Sequence, residues 1–212
     1  MRSVTRPLLA LALPLLLAAC GGVLGTVDRT LGLGLGLGGG DLDPRFQRLY
    51  LGDSDRFDIV IPATGATSTF VRLNARDGVE TYIGPFGEGM ILQDGLLRGT
   101  RGMGEGLQAV DHAASRALIL SGSTGRALRF HSYLSGNTSR HLRSFVCDVA
   151  PQGREAVTVG GQNHAASVMR EDCTGPQGDF INRYWIVDGA IVQSLQWSGP
   201  NLGQILFKHD LP

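Results

Sequence analysis

The sequence predicts an all-β fold. An antiparallel meander, with at most short helices, curls into a curved sheet, sandwich or barrel to bury its apolar face. Three observations carry this. Asp77-Gly78, Asp94-Gly95 and Asp188-Gly189 each sit between apolar-rich runs, a strong cue for two-residue hairpins. The arm AIVQSLQW alternates with period two: Ile191, Gln193, Leu195 and Trp197 on one face, Val192, Ser194, Gln196 and Ser198 on the other. Helix-compatible patterning is confined to 41–50 and 105–117, and both would be short.

The elements follow in chain order. Residues 1–19 read as a signal peptide: Arg2 and Arg6 precede an apolar run of 13 residues over 7–19. That is short of the roughly 20 a helix needs to span a bilayer. Leu17-Ala18-Ala19-Cys20 looks like a bacterial lipobox, in which the cysteine thiol is the nucleophile that takes the diacylglycerol. Acyl chains on Cys20 would anchor the protein at roughly 0.8 kcal/mol per buried CH₂. Gly21 follows Cys20 where aspartate does not, and likeness to Gram-negative lipoproteins then implies an outer-membrane location, facing the periplasm. Residues 20–40 comprise the lipidated cysteine and a Gly/Leu-rich tether, because glycine at every second position weakens a strand. A single β-rich domain occupies 41–212. Its strands are expected at 56–62, in the arms TFVRLNA and VETYIG, then GMILQ and LLRGT. They continue at 126–134, 140–149, 155–160 and 165–172, in FINRYWIV and AIVQSLQW, and at 203–209.

Composition excludes several classes. Basic and acidic side chains balance at 19 each, with no basic stripe, so nucleic-acid binding is not expected. With Cys20 acylated, Cys147 and Cys173 remain; in an oxidising compartment two such thiols are expected to pair, the other reading being two free thiols. Neither lies in a C-x-x-C or near a His cluster, so no metal is expected, and no cofactor motif occurs. No H-E-x-x-H, G-x-S-x-G or G-x-x-x-x-G-K-[ST] is present. The stretch RGTRGMGEGL, 98–107, carries four glycines beside Arg98 and Arg101, but spaced G-x-x-G-x-G-x-G. A dinucleotide loop must open a helix within a βαβ unit, and nothing here supplies one. Gly99-Thr100-Arg101-Gly102 therefore ends a strand and turns the chain.

Four blocks, in order, resemble the YjbF/GfcB lipoprotein family: GLLRGTRGMGEGL; FVC at 145–147; EDC at 171–173; and FINRYWIVDGAIVQSLQWSGPNLG. Met103 and Glu105 depart from the family's pattern, and the Gly/Leu tether is not part of it. The resemblance implies a β-rich outer-membrane lipoprotein accompanying exopolysaccharide or group 4 capsule production, as an accessory in export, assembly or surface retention. It carries over no catalytic residues.

Two function classes compete. A non-enzymatic module would hold polysaccharide or export-machinery proteins, with Arg101, Arg183, Tyr184, Trp185, Gln196 and Trp197 as candidate contacts. Aromatic faces and planar polar groups suit sugar rings. Trp185 and Trp197 could instead be core, and Arg101 could hold a turn. A polysaccharide lyase or hydrolase would need carboxylates such as Glu80, Glu88, Glu105 or Glu171 in a cleft. A purely structural envelope lipoprotein is the third reading.

Overall fold

The computed structural model describes residues 41–103, 106–134 and 139–209. The signal peptide, Cys20, the tether and Glu105 lie outside them. Among the described residues two helices are present, α1 (Pro44–Leu51) and α2 (Ala113–Ser121). The twelve strands are β1 (Arg56–Ile61), β2 (Ala66–Arg76), β3 (Val79–Ile83), β4 (Gly89–Gln93), β5 (Leu96–Arg101), β6 (Leu107–Asp111), β7 (Gly125–Leu134), β8 (Arg140–Val159), β9 (Gln162–Gly175), β10 (Gly178–Val187), β11 (Ala190–Gly199) and β12 (Gly203–His209).

All twelve join one antiparallel sheet in the order β5-β4-β3-β2-β1-β12-β11-β10-β9-β8-β7-β6. It rolls into a nearly closed barrel. At the seam β5 meets β6 without a ladder, and the Thr100 Oγ1 accepts from the Leu107 amide at 3.1 Å. A Cβ at Gly99 would lie 3.0 Å from the Gln108 carbonyl, so glycine allows the two strands to approach. Asp77, Asp94 and Asp188 each take φ near +50° and are followed by a glycine of positive φ, the two-residue hairpin geometry their pairs predict.

Both helices are short. In α1, Asp43 caps by accepting from the Arg45 amide at 2.8 Å, Pro44 starts the first turn, and Phe46 is buried against Val71 and Ile83. The second helix begins later than 105–117 predicts. Residues 107–111 form β6 instead, paired with β7 through Val110 and His131. Gly122 then ends α2 in the left-handed region at φ 67°. The strands expected at 140–149 and 155–160 are one strand, β8, with a register shift between Pro151 and Arg154. Beyond that shift, Val157 and Val159 of β8 pack with Ala166, Val168, Trp185, Val187 and Val192 in a cluster of their own.

The period-two reading of β11 needs one correction. A bulge sets Trp185 opposite Gln193 but Ile186 opposite Ile191, so Val192 is the extra residue. Ile191 therefore packs with Leu96, Met169 and Tyr184, while Val192 joins the Trp185 cluster.

Cys147 and Cys173 face each other on β8 and β9 and form the disulfide. They are 26 residues apart. Replacing both with serine should cost about 3 kcal/mol of stability. Non-reducing and reducing gels of purified protein should differ in mobility; two alkylatable thiols in the untreated protein would contradict the bridge.

Candidate functional site

Strand β7 reads GRALRFHSYL, and its inward side is polar. Ala127, Arg129, His131 and Tyr133 are buried, whereas Leu128 on the opposite side is 58% exposed. Across the interior, β9 contributes Glu171 and β10 contributes Asn182 and Tyr184. Arg129 Nη1 donates to both carboxylate oxygens of Glu171, at 3.1 and 3.0 Å. Asn182 Nδ2 and the Tyr184 hydroxyl donate to Glu171 Oε2 at 2.7 and 2.9 Å. Arg129 and Glu171 have no solvent exposure.

Burial alone would push the Glu171 carboxyl up, but the Arg129 charge and hydrogen bonds from Asn182, Ser115 and Tyr184 outweigh it, and the group stays below its ordinary value. Burial and then the adjacent carboxylate raise the Tyr184 phenol well above its usual range. Arg129 Nε donates to His131 Nε2 at 2.9 Å, so that nitrogen carries no proton and Nδ1 is left to meet the Tyr133 hydroxyl at 2.9 Å. Burial, followed by the Arg129 charge, lowers His131 to about 2. The ligand atoms of Cys147, Glu171 and Cys173 lie within 4.8 Å of one another. That trio does not fit a metal: the sulfurs are bonded to each other and offer no thiolate, and the carboxylate already pairs with Arg129.

The network ends at a groove. Asn182 Oδ1 accepts from the Trp197 backbone amide at 2.8 Å. Phe180 stacks between His131 (centroids 5.4 Å) and Trp197 (5.9 Å, planes 9° apart) and meets Phe145 edge-on at 4.9 Å. Phe180 and Trp197 line an open depression of about 430 Å³ together with Pro62, Ala63, Asp179, Ile181 and Gln204. Its aromatic wall is thus fixed from behind by ring packing and one backbone hydrogen bond.

Of the predicted contacts, the structure brings only Trp197 to this groove. Tyr184 and Gln196 are fully buried. Gln196 ties β11 to the β4–β5 turn, accepting from the Leu97 amide at 2.8 Å and donating to the Gly95 carbonyl at 2.9 Å. Arg183 and Trp185 hold β8: both donate to Glu155, at 2.5 and 2.8 Å, and the guanidinium lies 4.7 Å from the indole centroid. Arg101 ends β5, exposed. Among the carboxylates, Glu80 pairs with Arg72 at 3.2 Å, and Glu88 accepts from the Phe86 amide at 2.9 Å and lines a separate, mostly apolar cavity. Glu171 is spent on Arg129.

Sequence reading missed Arg129, Asp179 and Gln204. The alternation in GRALRFHSYL was the available signal for Arg129, because it sets Arg129, His131 and Tyr133 on one side of a strand.

A family model described as group 4 capsule polysaccharide lipoprotein gfcB, YjbF matches residues 59–209. No curated protein matches by sequence. Among solved structures, the hypothetical lipoprotein YmcC from Escherichia coli (K12) superposes with a TM-score of 0.67 at 16% identity, covering 80% of this chain and 89% of that one. That likeness concerns the fold.

Proposed function

The chain belongs to the YjbF family of group 4 capsule polysaccharide lipoproteins, and from that premise we propose that it is a non-enzymatic accessory in exopolysaccharide or capsule export and assembly. Acyl chains on Cys20 hold it to the outer membrane, facing the periplasm, where it works beside the export machinery and touches polysaccharide at the Trp197 groove.

One observation carries this reading: among the described residues, the groove offers an aromatic wall and a single carboxylate, Asp179. Glycoside hydrolysis uses two carboxyl groups, roughly 5–10 Å apart. A wall of ring surface with one acid suits holding a sugar rather than cutting it. The strongly perturbed ionisable groups nearby are locked inside the barrel. Glu171 there answers Arg129, and its hydrogen-bonding neighbours satisfy its remaining lone pairs.

The test is secreted and cell-bound polysaccharide in a clean deletion strain, complemented with wild type or Cys20→Ala. Polysaccharide should fall on deletion and return only with the lipidated protein. Unchanged amount and chain length would overturn the accessory role. Full rescue by Cys20→Ala would overturn the anchor.

A further inference from the structure

We propose that the Trp197 groove selects pyranose units that are neutral or carry an amino group, and rejects uronic acids; this rests on the polysaccharide-holding role above and names the sugar chemistry it takes. The groove's ring surface comes from Phe180 and Trp197, and its aliphatic surface from Pro62, Ala63 and Ile181. Such a lining meets the C–H face of a sugar ring, which is apolar, and leaves the hydroxyls at the ring's edge to find polar partners.

Of those partners Asp179 is an acceptor and Gln204 is both acceptor and donor. Asp179 Oδ1 accepts from the Gly175 amide at 3.2 Å, which leaves the second carboxylate oxygen open. The Gln204 amide nitrogen gives one N–H to the Ile181 carbonyl at 2.5 Å, which leaves its second N–H and Oε1 open. A carboxylate and an amide beside an aromatic wall suit hydroxyls, an acetamido group or an ammonium, and only the amide can serve a ligand acceptor. A carboxylate brings no donor of its own.

Charge then sharpens the choice. Among the described residues, no lysine or arginine lines the groove, and Asp179 is the only ionised group that does. Asp179 lies on β10 next to the buried Phe180 and is itself exposed, so its field acts in a solvated site. An ammonium gains from it, a hydroxyl is nearly indifferent, and a uronate is repelled. The expected discrimination between opposite charges at such an exposed site is about fivefold at low salt, and it shrinks as salt rises.

The rigid backing makes the selection geometric as well. Trp197 is held at its amide by Asn182 and at its ring by the stack on the buried Phe180, so the ring is set before the ligand arrives. A preset platform loses little conformational freedom on binding.

Three 1,4-linked tetrasaccharides of matched geometry test this by titration calorimetry on the lipidated protein in detergent: tetraglucosamine, cellotetraose and tetraglucuronate. Tetraglucosamine should bind tightest and tetraglucuronate weakest, with the gap closing in high salt. Asp179→Asn keeps an acceptor and removes the charge. It should leave cellotetraose within about twofold and erase the gap between the charged probes. Trp197→Leu, checked for folding by near-ultraviolet circular dichroism, should weaken all three. The inference is overturned if tetraglucuronate matches tetraglucosamine in the wild type, if the gap survives Asp179→Asn, or if none of the three binds. A deletion strain that loses polysaccharide while none of these probes binds keeps the accessory role and discards this selectivity. Ordered binding with an unchanged deletion strain does the reverse.

Discussion

Glu171→Gln is expected to destabilise the protein by about 3–5 kcal/mol, read as a fall in the urea midpoint. Glutamine keeps the shape and can still accept from Asn182 and Tyr184. It cannot balance the charge on Arg129, whose side chain is fully enclosed. A guanidinium does not give up its proton, so the variant must bury a lone cation or let water into the barrel. Arg129→Met should cost a similar amount for the opposite reason, leaving a lone carboxylate. The double variant Arg129→Met/Glu171→Gln buries no net charge and should recover part of the summed loss. A loss below about 1 kcal/mol for Glu171→Gln would show that water already reaches the pair.

Acidification is expected to destabilise the fold from near pH 6.5 downward, well before ordinary carboxylates titrate. Burial is the first cause in all three histidines concerned. It lowers His131 to about 2, His112 to about 3 and His209 to about 4. In the unfolded chain each would take a proton near pH 6.5. Between that pH and about 4, the unfolded state thus binds up to three more protons than the folded one. Stability therefore falls as pH falls, at a limiting slope of roughly 4 kcal/mol per pH unit. The His209 contribution stops growing below about pH 4, that of His112 below about 3, and that of His131 below about 2. Glu171 adds to the loss at the acid end: its folded value is depressed, so its contribution is present above the unfolded carboxyl value and disappears as pH drops through the folded one. Urea midpoints at pH 7.5, 6.0 and 5.0 measure the slope. Equal midpoints across that range would mean the three rings are not buried neutral.

Much of the fold was legible because its signals are local. An Asp-Gly pair needs two left-handed residues in a row, and Asp77, Asp94 and Asp188 all adopt that geometry. The disulfide followed from the two thiols left once Cys20 is read as the lipidation site. What escaped was long-range. Val192 breaks the alternation of β11 because a bulge inserts it opposite Trp185 and Ile186, and no local pattern marks that position. The candidate contacts divided for a related reason. Tyr184 and Trp185 are neighbours on β10, so one joins the Glu171 network and the other bonds Glu155. Sequence places such a pair on opposite sides but does not say that both sides are covered. Gln196 reads as a surface amide, yet it ties the Leu97 and Gly95 backbone across the interior.

The strand order has a consequence for how the protein is made. Each of the two runs β1–β5 and β6–β12 zips through neighbours in the chain, except at one ladder, where β1 pairs with β12 and Phe57 lies opposite His209. A chain that enters the envelope from its N-terminal end delivers β12 last. Until then β1 waits as an open edge, its outward Asp58 a charge that discourages pairing with other chains, and Lys208 arrives opposite it only at the end. Joining the two ends of the domain is the slow, entropically demanding contact. Completion of the barrel thereby waits for the last strand of the domain.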